Sequence, residues 1–239
     1  SISIKTAREI EKMRRAGELL EKVHDELGRA IHPGMSTWEI NKLGEEMIRS
    51  FGCTPNFLNY NGYPASICVS VNEEVVTESQ VKTILKEGDI VSLDAGLIYE
   101  GYHSDAARTH AVGEISPEAR KLVEVTRQAF LKESNTQKQA IIFMDFGGDG
   151  AYAESFGYGV VRDLVGHGQS ERTCTKIRQC RTSPQPSRGV RLQPGMTLAI
   201  EPMITAKAMQ SDGWYDDWTV VTEDGFSCRT IMRNTILIT

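Results

Sequence analysis

The chain has 239 residues, with 27 Lys and Arg against 32 Asp and Glu, a net charge of −5, and 40% hydrophobic against 25% charged residues. This composition suits globular structure, excludes intrinsic disorder, collagen and coiled-coil arrays, and lacks the basic footprint of a specific or general nucleic-acid binder. No apolar run approaches the ~18 residues of a membrane span, the charged N-terminus SISIKTAREIEKMRR has no apolar signal core, and five cysteines form no CxxC pair. The expectation is one domain over residues 1–239, a monomer without disulfide staples in the reducing cytoplasm.

From Thr6 onward, Ile10, Met13, Leu19, Leu20, Val23, Leu27 and Ile31 recur at helical spacing behind a Thr6-x-x-Glu9 capping box, and Pro33-Gly34 stops the pattern. A second box, Ser36-x-x-Glu39, opens a helix carrying Ile40, Leu43, Met47 and Ile48 that ends near Phe51-Gly52. The period then changes to short strands at Ser66–Val71, Asp89–Leu93, Gly101–His103 and Ala106–Val112. Ser116-Pro117-Glu118 starts a third helix by N-cap and N1 proline. Strand-like runs return at Met196–Ile204, Trp218–Thr222 and Ile231–Thr239. Together these elements predict an α+β architecture, with helices grouped against a largely antiparallel sheet. Residues 133–150 and 169–188 show neither period and read as loops, although irregular loops beyond about 15 residues are uncommon in compact structure.

Four residues carry candidate chemistry. Asp94 ends the apolar run IVSLDAG, and Asp105 follows in GYHSDAART beyond a turn at Glu100-Gly101, so a hairpin can set the two carboxylates side by side. His167 stands between glycines in LVGHGQ, which leaves its imidazole room to coordinate. Glu201 ends the apolar run TLAIEPM, a costly place for a carboxylate without a cation or donor. Singly, each is more often a cap, a solvated acid or a satisfied histidine. As a set, three carboxylates and an imidazole suit a divalent transition metal held mainly by oxygen, with Mn, Fe, Co and Zn all compatible.

The segments NYNGYPASICVSVNE, EGDIVSLDAG, GYHSDAART, VGEISPEA, VVRDLVGHG, GMTLAIEPM, DWTVVTEDG and NTILIT, spread from Ile4 to Thr239, resemble the type I methionine aminopeptidases. The resemblance implies the pita-bread fold, two pseudo-symmetric α+β halves around one metal cleft. It also implies removal of the initiator methionine from nascent chains and methionyl peptides by a two-metal hydrolysis. It makes Asp94, Asp105, His167 and Glu201 metal ligands, with His167 and Glu201 catalytic. It puts Tyr60, Tyr63, Cys68 and Trp218 in the methionine pocket, and Thr77 and Cys174 at substrate-contacting positions. Proximity to the ribosome is implied by the resemblance alone. The chemistry suits these residue types: two divalent ions about 3.5–4 Å apart supply a nucleophilic water and a Lewis acid. An apolar slot with ring and sulfur contacts suits a thioether.

Three positions depart from the family pattern. Thr77 stands where the family has the histidine of an HGIP run, Cys174 replaces the second histidine after GHG, and Arg233 replaces a glutamate that bridges the metals. Codons exist for Gln169–Cys180 whose frame two bases on reads Ile-Gly-Lys-Asn-Leu-His-Glu-Asp-Pro-Pro-Met, the missing family motif. The same offset turns Thr77–Gln80 into His-Gly-Ile-Pro and Lys132–Phe143 into a Gly-Ile-Glu…Gly-Asn run, a pattern that local frameshifts would leave. Arg233 has no comparable account. With arginine there, three carboxylates and one guanidinium leave a local charge that matches one divalent ion rather than two. The alternative to an active aminopeptidase is a pita-bread pseudo-enzyme that binds peptide or protein partners. A proline-directed or creatine-type hydrolase is a third reading, disfavoured because the chain has no room for an extra N-terminal domain.

Overall fold

The structure is a computed structural model that describes residues 4–76, 82–137, 142–143, 147–160, 166–168, 176–180, 190–191, 193–207, 220–221 and 229–238. Helices α1 (Ala7–Ala30) and α2 (Thr37–Ser50) lead into strands β1 (Thr54–Pro55), β2 (Ile67–Val71), β3 (Glu74–Val76), β4 (Ile90–Tyr99) and β5 (Tyr102–Ala111), with a 3-10 turn at Tyr60–Gly62. Next come α3 (Pro117–Gln137), β6 (Ile142–Phe143), α4 (Gly147–Glu154), β7 (Gly159–Val160), β8 (Gly166–Gly168), β9 (Lys176–Cys180) and β10 (Val190–Arg191). The chain closes with β11 (Thr197–Ile200), β12 (Met203–Thr205), β13 (Val220–Val221), β14 (Arg229–Ile231) and β15 (Arg233–Leu237).

Both N-terminal helices start as the capping boxes predict. Glu9 Oε2 accepts from the Thr6 amide at 2.7 Å, and Glu39 Oε2 from the Ser36 amide at 2.7 Å; Thr6 Oγ1 and Ser36 Oγ accept in return. Each such cap is worth about 1 kcal/mol. Met13, Ala16, Leu19, Leu20, Val23 and Leu27 form the buried stripe of α1. On α2, Gly44 admits Ile67 of β2, since a Cβ there would stand 2.6 Å from Ile67 Cγ1.

The central sheet runs β1, β4, β5, β15, β11, β8, β9, with β2 also paired to β4, and every pairing is antiparallel. Side chains alternate across it. Ile67, Val69, Val71, Val91, Leu93, Ala95, Leu97 and Ala106 belong to the core cluster shared with α1 and α2. Their neighbours in sequence, Cys68, Asp94, Asp105 and Ala107, therefore face the other way. In the C-terminal part, Leu122, Val125 and Ala129 of α3 and Ala153 of α4 pack against Val160 and Ile204. Beside them β12 pairs with β14 and β7.

Several boundaries differ from the sequence expectation. Gly101–His103 and Ala106–Val112 are one strand, β5, because every residue from Tyr102 to Ala111 finds a partner on β4 across a turn whose Glu100 and Gly101 have φ of 47° and 85°. Two successive positive φ values give a tight turn whose twist matches the strands it joins. Met196–Ile204 splits at Glu201-Pro202, where proline has no N–H to continue a ladder, and Ile231–Thr239 splits at Met232. Helix α3 extends to Gln137, and β6 and α4 occupy further parts of 133–150, so that stretch is not one loop. Within 169–188 only β9, and within Trp218–Thr222 only β13, lie among the described residues. No helix among the described residues is long and apolar enough to cross a membrane.

Candidate functional site

The sheet register builds the site. Cys68 lies opposite Asp94, Asp94 opposite Ala107, and Ala107 opposite Arg233. Residues paired across a sheet share a face, so these four form one row over β2, β4, β5 and β15. Asp105, two residues before Ala107, joins the same face. From the far side, Ile200 pairs with Asn234, which brings Glu201 at the end of β11 level with Arg233. Neighbouring strands are about 4.8 Å apart, so Asp94 and Arg233 stand about 10 Å apart with only the Ala107 methyl group between them. The long arginine side chain crosses that gap.

Its guanidinium lies among the three carboxylates. Nη1 donates to Asp94 Oδ1 at 2.9 Å and to Asp105 Oδ1 at 2.9 Å, and stands 2.9 Å from Asp94 Oδ2. Nη2 forms an ion pair with Glu201 Oε2. The group is enclosed: side-chain exposure is 1% for Asp105, 4% for Glu201, 12% for Arg233 and 20% for Asp94. Burial alone would lower the Arg233 pKa, but the charges of Asp105, Asp94 and Glu201 outweigh it and raise the pKa well above the usual arginine value. The guanidinium stays charged. Its Nε is buried without a hydrogen-bond partner among the described residues, where the side chain is held from its outer end.

The backbone beneath Arg233 is tied down by residues that motif reading passed over. Arg108 Nη1 donates to the carbonyls of Arg233 at 2.8 Å and Ala107 at 2.9 Å, while Nη2 reaches Asn234 Oδ1 at 3.0 Å and Glu21 Oε2 at 2.7 Å. Thr109 Oγ1 donates to the Ile231 carbonyl at 3.1 Å and accepts from its amide at 3.0 Å. Arg108 follows Asp105 by an odd number of residues, which places it on the α1 face; that parity was the available signal.

Beside the carboxylates stands an apolar wall. Tyr63, Ala65 and Cys68 form a buried cluster with Phe57 packed on it. Gly96, two residues after Asp94, makes room for the wall's neighbours: a Cβ there would stand 2.7 Å from Asn56 Nδ2 and 3.1 Å from Phe57 Cε1. Asn56 Oδ1 in turn accepts from His103 Nδ1 at 2.8 Å. Burial depresses the His103 pKa, against the opposing charge of Asp105.

The structure thus brings together Asp94, Asp105, Glu201, Cys68 and Tyr63 of the predicted site residues, and adds Phe57. Tyr60 sits one turn before Tyr63 and is 42% exposed. His167 is in β8, whose Gly168 pairs with Leu198 of β11, so its backbone lies on the strand next to the one that leads to Glu201. Thr77, Cys174 and Trp218 lie outside the described residues. With the guanidinium between the carboxylates, no group of three or more His, Cys, Asp or Glu among the described residues is arranged to hold a metal ion.

The model of Metallopeptidase family M24 matches residues 11–239. A methionine aminopeptidase of Clostridium acetobutylicum is 43% identical over 239 residues, 99% of this chain and 95% of the relative. Methionine aminopeptidase 1 of Bacillus subtilis is 41% identical over 239 residues, covering 100% of this chain and 96% of the relative. The crystal structure of methionine aminopeptidase from Thermotoga maritima superposes with a TM-score of 0.90 at 39% identity, covering 100% of this chain and 96% of that one. The expected α+β pita-bread fold is therefore present, and none of these three relatives favours the reading as a non-hydrolytic binding domain.

Proposed function

The chain belongs to metallopeptidase family M24, among the type I methionine aminopeptidases, and from that membership we propose that it removes the N-terminal methionine from peptides and nascent proteins. The observation that carries the reading is the convergence of Asp94, Asp105 and Glu201 from three strands onto one enclosed point beside the wall of Phe57, Tyr63, Ala65 and Cys68. The wall offers ring and sulfur contacts that fit an unbranched thioether. The surplus negative charge next to it draws the free α-ammonium of an N-terminal residue, which restricts attack to the first peptide bond. Asp94, the most open of the three carboxylates, is the one that ammonium meets first.

Membership in a metallopeptidase family implies divalent metal, and carboxylates with His167 are donors of the kind that take Mn, Fe, Co or Zn. Such ions would supply a Lewis acid for the peptide carbonyl and an ionised water. In the arrangement shown, the room between the donors is filled by Arg233, so a divalent ion does not fit beside it. Methionine release is accordingly slow in this chain, and slower still without histidines at Thr77 and Cys174, each lost transition-state donor costing about 10²–10³ in rate.

Mass spectrometry of a Met-Ala-Ser peptide incubated with the protein and Mn²⁺ tests the reading. Free methionine should appear from this peptide and not from its N-acetylated form, and the variant Arg233→Glu with Thr77→His and Cys174→His should release it faster. Cleavage of the acetylated peptide, or no release by that triple variant when folded, would overturn the proposal.

A further inference from the structure

We propose that Arg233 is a tethered internal cation that takes the place of divalent metal in the Asp94, Asp105 and Glu201 cluster, so that a metal ion enters only by displacing it. The inference rests on the family reading for the identity of the competing ion, and on this chain's own geometry for the competition. One guanidinium nitrogen touches both aspartates at 2.9 Å and the other is ion-paired with the glutamate, so one guanidinium bridges all three acids.

Distance decides whether a second cation can be added. Carboxylate oxygens hold first-row divalent ions at about 2.0–2.2 Å. An ion on the Asp105 oxygen that also bonds Nη1 at 2.9 Å therefore lies no farther than about 5 Å from that nitrogen, whatever its direction. A double and a single positive charge that close, in a pocket where Arg233 is 12% exposed, are poorly screened. Guanidinium and metal exclude one another. Displacement is nevertheless accessible, because among the described residues the guanidinium is held at its outer nitrogens and Nε has no partner. The backbone need not move, since Arg108 and Thr109 clamp the strand from the Arg233 carbonyl and from Ile231. What yields is side-chain torsion.

The test is Mn²⁺ titration by calorimetry, with melting temperatures read in chelator and in Mn²⁺, on the unmodified protein, Arg233→Gln and Arg233→Glu. We expect Mn²⁺ to bind the Glu variant at least about 100-fold more tightly than the unmodified protein, a modest share of the repulsion between +1 and +2 charges within about 5 Å. Chelator should leave the melting temperature of the unmodified protein unchanged and lower that of Mn²⁺-treated Arg233→Gln. The chelator arm on the unmodified protein needs no variant to fold. Equal Mn²⁺ affinity in all three proteins, or a melting temperature of the unmodified protein that falls in chelator, would overturn the inference. Equal affinity together with methionine release would leave the family activity standing. The expected affinities with no release by the folded triple variant would leave the competition standing and remove the activity.

Discussion

A double-mutant cycle between Arg233 and Asp105 puts a magnitude on the central ion cluster. At the observed 2.9 Å a single pair of opposite charges is worth at most about 5–6 kcal/mol at an effective dielectric near 20. Burial offsets part of this, and breaking a buried pair by removing one partner typically costs about 3–5 kcal/mol. The two single variants should not be equal. Arg233→Gln removes a positive charge shared by three carboxylates at once and belongs at the upper end, about 4–5 kcal/mol, or roughly 10 °C in melting temperature for a chain of this size. Asp105→Asn removes one acid from a cluster with surplus negative charge and leaves Arg233 on Asp94 and Glu201, so its cost should be about 1–2 kcal/mol. Because Asp105 no longer has a charge to lose its partner, the double variant should be less destabilised than the sum by about 2 kcal/mol or more. Urea unfolding in chelator at pH 7 gives all four stabilities. Additivity within about 0.5 kcal/mol, or an Asp105→Asn cost equal to that of Arg233→Gln, would refute the placement of the guanidinium.

Other consequences are open to equally direct measurement. Arg108→Lys keeps the charge but loses the fork that spans two carbonyls, Asn234 and Glu21, and should cost about 2–3 kcal/mol in urea unfolding; a cost below about 0.5 kcal/mol would remove its clamping role. His24, whose Nε2 donates to the Ala106 carbonyl, is held down to about 3 by burial and then by the nearby Arg108 charge, and His110 to about 4 for the same two reasons. Both are neutral when folded and accept protons when unfolded, so stability is full above about pH 6.5 and falls with decreasing pH by up to about 1.4 kcal/mol per unit for each group. Urea midpoints between pH 7 and pH 5 should show this slope, and His110→Gln should reduce it by about half, leaving the His24 contribution; a level profile contradicts it. In the triple variant, Phe57→Ala should raise KM for Met-Ala-Ser about tenfold or more with kcat little changed, as loss of apolar contact to the methionine chain requires. An unchanged KM would place the methionine elsewhere.

Legibility in the sequence followed how local the signal was. Helices α1 and α2 were readable to within a residue or two, because Thr6-x-x-Glu9 and Ser36-x-x-Glu39 announce their starts and a 3.6-residue stripe marks their length. Strand β5 was misread as two pieces because Ser104 and Asp105 look like turn residues in isolation; only pairing with β4 makes them strand. That Asp94 and Asp105 share a hairpin was legible, and the family resemblance grouped them with Glu201, but Asp94 stands inside β4, which runs on to Tyr99, and Asp105 inside β5, rather than at strand ends. Arg233 was legible from its departure from the family glutamate. Charge counting did not reveal how far the side chain reaches. That depends on Ala107, a residue without chemistry whose small side chain leaves the gap, and on the register that sets it between Asp94 and Arg233. Arg108, Thr109 and Phe57 contribute through contacts between segments far apart in the chain, which no local pattern encodes. The expectations at Thr77, Cys174 and Trp218 fall outside the described residues.

The most direct measurement is a crystal structure of the unmodified protein grown in Mn²⁺, with anomalous scattering recorded at a wavelength sensitive to manganese. Guanidinium density should lie in contact with Asp94, Asp105 and Glu201 with no anomalous peak between them, and peaks should appear there in Arg233→Glu. Anomalous peaks among the three carboxylates of the unmodified protein, with Arg233 turned away from them, would contradict this placement.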